Sequence, residues 1–72
     1  MSKLAERMRA LRKEKGLTQG DIAAYLGVSQ NVVSKYEAGM NEPSIDNVMA
    51  LAGFFGVSVD YLVGYGEAEE KP

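Results

Sequence analysis

The 72-residue chain has room for a single domain, and its 46% hydrophobic residues are enough for one core without staples. It contains no Cys and no His, which removes disulfides, the usual transition-metal sites and His-based acid–base catalysis, leaving carboxylates, Lys and Tyr as candidate catalysts. The formal net charge is -2, no apolar run approaches the roughly 18 residues of a membrane span, and the charged N-terminus lacks the apolar segment of a signal peptide, so we expect a cytoplasmic protein without metal or cofactor.

In chain order, Ser2 is placed to cap a first helix whose apolar positions Leu4, Met8 and Leu11 share one face. Gly16 sits where a left-handed residue would end that helix, and Leu17 can fold back onto Leu11. Thr18 caps the second helix, with Asp21 in the place of a capping-box acid. Gly27-Val28-Ser29 and Gly56-Val57-Ser58 repeat this order of helix stop, apolar contact and cap. The chain thus reads as short helices with minimal turns, and no strand pattern competes.

The third helix begins at Gln30, and a longer loop, Gly39-Met40-Asn41-Glu42-Pro43, leads to a fourth capped by Ser44. There Ile45, Val48, Met49, Ala52 and Phe55 follow a helical period, with Leu51 widening the stripe toward a central, buried helix. Gly53 interrupts it, either to let a neighbour pack closely or as a tolerated flaw costing about 1 kcal/mol. A fifth helix after Ser58 buries Val59, Leu62 and Val63 and ends at Gly64. We take 1–64 as the domain and the acidic segment 65–72 as a disordered tail or a linker.

At about 100° per residue, Gln30, Asn31, Ser34, Lys35 and Ala38 fall on one side of helix three, and Val32, Val33 and Tyr36 on the other. Gln or Asn can bind adenine through two hydrogen bonds in the major groove, and Lys can reach guanine acceptors. A surface helix must be polar somewhere, so this face alone does not decide. The tight Gly27 joint adds weight, because helix two ends at a Gly and helix three starts within two residues of it, with the small Ala23 and Ala24 where they cross. Gln19 and the free N–H groups at the head of helix two are placed to take a phosphate. Charge is divided in the same sense. Residues 1–36 hold seven basic and three acidic groups, a net of +4, and residues 37–72 one and seven, a net of -6. Taken by itself, a charged helix face is more often merely solvated.

The motifs Leu11-Arg12, Gly16-Leu17-Thr18-Gln19, Ile22-Ala23, Leu26-Gly27-Val28-Ser29, Val33-Ser34, Tyr36-Glu37, Gly39, Pro43-Ser44 and Gly56-Val57-Ser58, at their joint spacing, resemble the Xre family of phage-repressor-type, lambda-repressor-like regulators. The resemblance runs from about Leu4 to Gly64. It implies an all-α, compact five-helix domain with a helix-turn-helix formed by helices two and three, the third entering the major groove. It also implies base contacts at Gln30, Asn31, Ser34 and Lys35, phosphate contacts at Gln19 and around Asn41, and a structural pair, Arg12 with Glu37, bracing helix three.

Relatives often carry Arg or Lys in the loop after helix three, where this chain has Met40, Asn41 and Glu42, so backbone anchoring there should be weaker. Tyr61 and Tyr65 exceed what a small core needs, and we assign them to a dimer surface, where Tyr is enriched. The expected function is that of a sequence-specific double-stranded DNA-binding transcriptional regulator, a repressor binding an inverted-repeat operator as a homodimer. The alternative is an antitoxin or other interaction module using the same fold to grip a protein partner, with the acidic half from Glu37 onward and the Tyr61 to Tyr65 surface as the partner side. An enzyme is not expected, since Asp21, Asp46 and Asp60 each stand near an N-cap, where helix-terminal stabilisation accounts for them.

Overall fold

A hydroxyl before the apolar run sets where four of the five helices of the described residues begin. The computed structural model describes residues 3–65, and in it the order is α1 (Leu4–Glu14), α2 (Gln19–Leu26), α3 (Gln30–Glu37), α4 (Ile45–Phe55) and α5 (Val59–Val63). Thr18, Ser29, Ser44 and Ser58 each accept a hydrogen bond from the backbone N–H three residues on. At Thr18 the bond is returned, with Asp21 Oδ2 accepting from the Thr18 N–H at 2.9 Å, a reciprocal capping box. Helix α1 starts instead at Lys3, whose side chain makes no capping bond; the Ser2 cap lies outside the described residues, as does the acidic segment from 66 on. No strand occurs among the described residues.

The joint between α2 and α3 depends on Gly27 at φ 73°, a conformation that a Cβ disfavours. Its N–H and that of Val28 both donate to the Ala23 carbonyl, at 2.8 and 3.0 Å, and Ser29 then opens α3. Of the two alanines expected at the helix crossing, Ala23 is buried and Ala24 exposed. The 100° step between neighbours is enough to turn Ala24 out to solvent. Helix α3 also closes on a left-handed residue, Gly39, with Met40 N–H returning to the Lys35 carbonyl, so this connector shares the helix stop of the shorter ones.

The core draws Leu4, Met8 and Leu11 from α1, Ile22 and Ala23 from α2, Val33 and Tyr36 from α3, Val48, Leu51, Ala52 and Phe55 from α4, and Leu62 from α5. Ile45 and Met49 do not join it. They stay 64% and 57% exposed, one turn apart on an edge of α4. Helix α4 buries Val48, Leu51, Ala52 and Phe55 but leaves this edge in solvent, so it is amphipathic and not buried all round as its composition suggests. Val59 and Val63 pack at the rim of the core.

Gly53 is exposed, and a Cβ built on it meets nothing within 4 Å, so it serves no close packing. Gly53→Ala should therefore raise the melting temperature by roughly 4–8 °C, the equivalent of about 1 kcal/mol in a domain of this size. A fall in thermal unfolding by circular dichroism would contradict that open environment.

The two ends of the described chain meet. The Arg7 guanidinium lies 4.1 Å from the Tyr61 ring centroid and donates to the Tyr61 carbonyl, joining α1 to α5. Next to it the Lys3 side chain covers Gly64 so closely that a Cβ there would collide with it.

Candidate nucleic-acid interface

The fold holds α3 by its inner face and by its C-terminus. Val33 is fully buried, and the Tyr36 hydroxyl accepts from Asn47 Nδ2 at 3.4 Å, tying α3 to α4. Burial of that stripe turns the opposite side outward. Gln30, Asn31 and Ser34 are exposed there, with Lys35 half-buried beside them. Their side chains offer donors and acceptors of both kinds within one helix width, the equipment that base-edge recognition needs.

Behind this face stands Glu37, a carboxylate only 3% exposed. Arg12 donates through Nε to Oε2 at 2.8 Å and through Nη2 to Oε1 at 3.0 Å, a two-bond fork that fixes geometry as well as charge. Arg12 Nη1 also reaches the Leu17 carbonyl at 3.2 Å, tying the guanidinium to the turn before α2. Hydrogen bonding with Glu37 raises the Arg12 pKa, and the coulombic attraction adds to this against the opposing effect of burial. The guanidinium therefore stays charged.

Two further groups converge on the same residue. Gln19 Nε2 donates to Glu37 Oε1 at 3.1 Å, and Arg9 Nη1 donates to the Glu37 backbone carbonyl. Arg9 thus places positive charge at the C-terminus of α3, the favourable end of the helix dipole. Sequence reasoning passed over Arg9 and over the inward bond of Gln19. For Arg9 the signal was its spacing: three residues before Arg12, it shares that face of α1.

At the head of α2, Gln19 is half-buried with one amide hydrogen committed inward. In the loop after α3, Asn41 is exposed, and its backbone N–H turns back to the Lys35 carbonyl at 3.4 Å. Met40 and Glu42 beside it are exposed as well. Tyr65 is 73% exposed, whereas Tyr61 is 39% exposed and already engaged with Arg7. No helix of the described residues is long and apolar enough to cross a membrane.

Comparison with known proteins places this geometry. A family model described as Helix-turn-helix matches residues 8–62. The chain is 34% identical over 68 residues to the HTH-type transcriptional regulator ImmR of Bacillus subtilis (strain 168), covering 94% of this chain and 54% of ImmR. It spans about half the length of most of the first curated relatives that it matches. Among solved structures, a transcriptional regulator from Listeria innocua superposes with a TM-score of 0.84 at 40% identity, covering 86% of this chain and 58% of that one. The P22 c2 repressor, in complex with synthetic operator 9T, superposes with a TM-score of 0.77 at 36% identity, covering 82% of this chain and 89% of that one. On fold, motif spacing and family match together, the chain belongs to the Xre family of phage-repressor-like helix-turn-helix transcriptional regulators.

Proposed function

We propose that the chain is the DNA-reading domain of a sequence-specific repressor that works in the cytoplasm, binds an inverted-repeat operator as a homodimer and acts by occupying a promoter. Helix α3 enters the major groove, where Gln30, Asn31, Ser34 and Lys35 meet base edges. Gln19 and the Asn41 side chain take phosphates to either side. Tyr65, with the exposed edge of Tyr61, belongs to the dimer surface. The observation that carries this reading is the exposure of Gln30, Asn31 and Ser34 opposite the buried Val33 and Tyr36 of a helix-turn-helix. The likeness to a repressor seen with its operator supports it. The protein-binding alternative, with the acidic half and the Tyr61 to Tyr65 surface as its partner side, is less favoured, since the family match is to a helix-turn-helix and the relatives are named for transcriptional regulation.

Selection of bound duplexes from a random library tests the reading directly. We expect an enriched inverted repeat with half-site centres about 34 Å apart, one helical turn or a multiple of it. Enrichment of a lone half-site would remove the dimer, and no enrichment at all would remove sequence-specific binding.

A further inference from the structure

Three donors fall on the two oxygens of the Glu37 side chain. Oε2 takes Arg12 Nε at 2.8 Å, while Oε1 takes both Arg12 Nη2 at 3.0 Å and Gln19 Nε2 at 3.1 Å. A carboxylate only accepts, whereas a carboxamide carries a donor nitrogen and an acceptor oxygen on opposite arms. Contact with Glu37 therefore decides which arm of Gln19 faces inward. One Nε2 hydrogen goes to Glu37, which leaves the second for another acceptor, on the first residue of α2, whose own N–H has no partner within the helix.

We infer that Glu37 is a positioning residue for the DNA backbone: by orienting Gln19, it presents the second amide hydrogen to a phosphate and locks that seat to the C-terminus of the recognition helix. The inference rests on the DNA-binding reading above and assigns Glu37 a task in addition to its pairing with Arg12. A phosphate gripped at Gln19 then sets where α3 lies, because α1, α2 and α3 meet on one carboxylate. Gln suits position 19 for this reason. Its two amide hydrogens serve an anion on each side, whereas Glu would face Glu37 with like charge and Ala would serve neither anion.

A double-mutant cycle of Gln19→Ala and Glu37→Met tests the coupling. The duplex recovered by selection with the unmodified chain is the probe, and thermal unfolding without DNA checks that each variant is folded at the assay temperature. Gln19→Ala in the unmodified background should weaken binding about tenfold, the loss of one hydrogen bond to a charged group. In the Glu37→Met background, which has no oxygen to accept from Gln19, the same change should cost no more than about twofold. Equal losses in the two backgrounds would overturn the inference.

Nuclear magnetic resonance of the unmodified chain gives a reading that needs neither variant nor DNA. Gln19 and Gln30 are the chain's two glutamines, so their side-chain amides are readily told apart. The Gln19 amide protons should exchange with solvent more slowly than those of the exposed Gln30. Equal exchange rates would show that Glu37 does not hold Gln19, and the inference falls. Slow exchange with no duplex recovered would leave the aiming of Gln19 standing and remove its role toward phosphate together with the DNA-binding reading.

Discussion

Glu37→Ala should lower the melting temperature by roughly 15 to 20 °C. Removing one partner of a buried ion pair costs about 3–5 kcal/mol, because the other charge stays behind without compensation. Each kcal/mol moves the transition by about 4–8 °C in a domain of this size. The Arg12 side chain is 16% exposed, so water recovers part of the loss and the lower end of that range applies. The remainder comes from Gln19, whose inward amide hydrogen loses its acceptor. Thermal unfolding by circular dichroism measures the shift, and an unchanged curve would refute the brace. The sign of any pH effect through Arg12 follows from its raised pKa. Stability from a raised basic group is fully present below its unfolded pKa and fades as pH climbs through the folded one. That window lies above the ordinary arginine range, so the Arg12 half of the brace does not titrate near neutrality.

Gln30→Ala and Lys35→Ala should leave the melting curve within about 0.5 kcal/mol of the parent, since neither side chain belongs to the core. Their effect should fall on discrimination between bases. A good two-bond contact to a base edge is worth about 1–3 kcal/mol against the wrong base, a factor of roughly 5 to 150. Each variant should therefore lose preference at its own position of the half-site while keeping affinity for unrelated duplex DNA. Loss at Lys35 should also flatten the dependence of binding on salt by about one unit of slope if its ammonium reaches a phosphate, and by less if it reaches a base. Competition gel shifts across single-base variants of the selected site measure both. Retention of full sequence preference in the two variants would remove α3 as the reading element.

The positions of α2 to α5 were legible because hydroxyl caps and glycine stops bracket their apolar runs, as Thr18 with Gly27 and Ser44 with Gly56 do for α2 and α4. These are local rules, and a single chain carries all the information that they need. Which flank of a run faces the core is not local. Ile45 and Met49 satisfy the helical period as well as Val48 and Ala52 do, yet they are exposed because no element of the described chain lies over that edge. Ala24 is misplaced by the same ignorance of what packs where. The candidate interface divides in a similar way. The polar side of α3 follows from angular spacing alone, but the convergence of Arg9, Arg12 and Gln19 on Glu37 joins three helices across 18 to 28 positions of sequence. The resemblance implied the Arg12 pairing, and spacing alone put Arg9 on the face of Arg12, but nothing in the local pattern marked the inward bond of Gln19.

The contact between Lys3 and Gly64 has a topological consequence. The described chain enters and leaves at one spot, with Arg7 and Tyr61 fastened alongside, so the five helices form a nearly closed loop of backbone. A short Gly-Ser bridge could join the ends near residues 3 and 64, and the circle could be cut in the exposed stretch 40–42 without touching the core. Such a circular permutant would begin with α4 and finish with α3, placing the recognition helix at a free terminus.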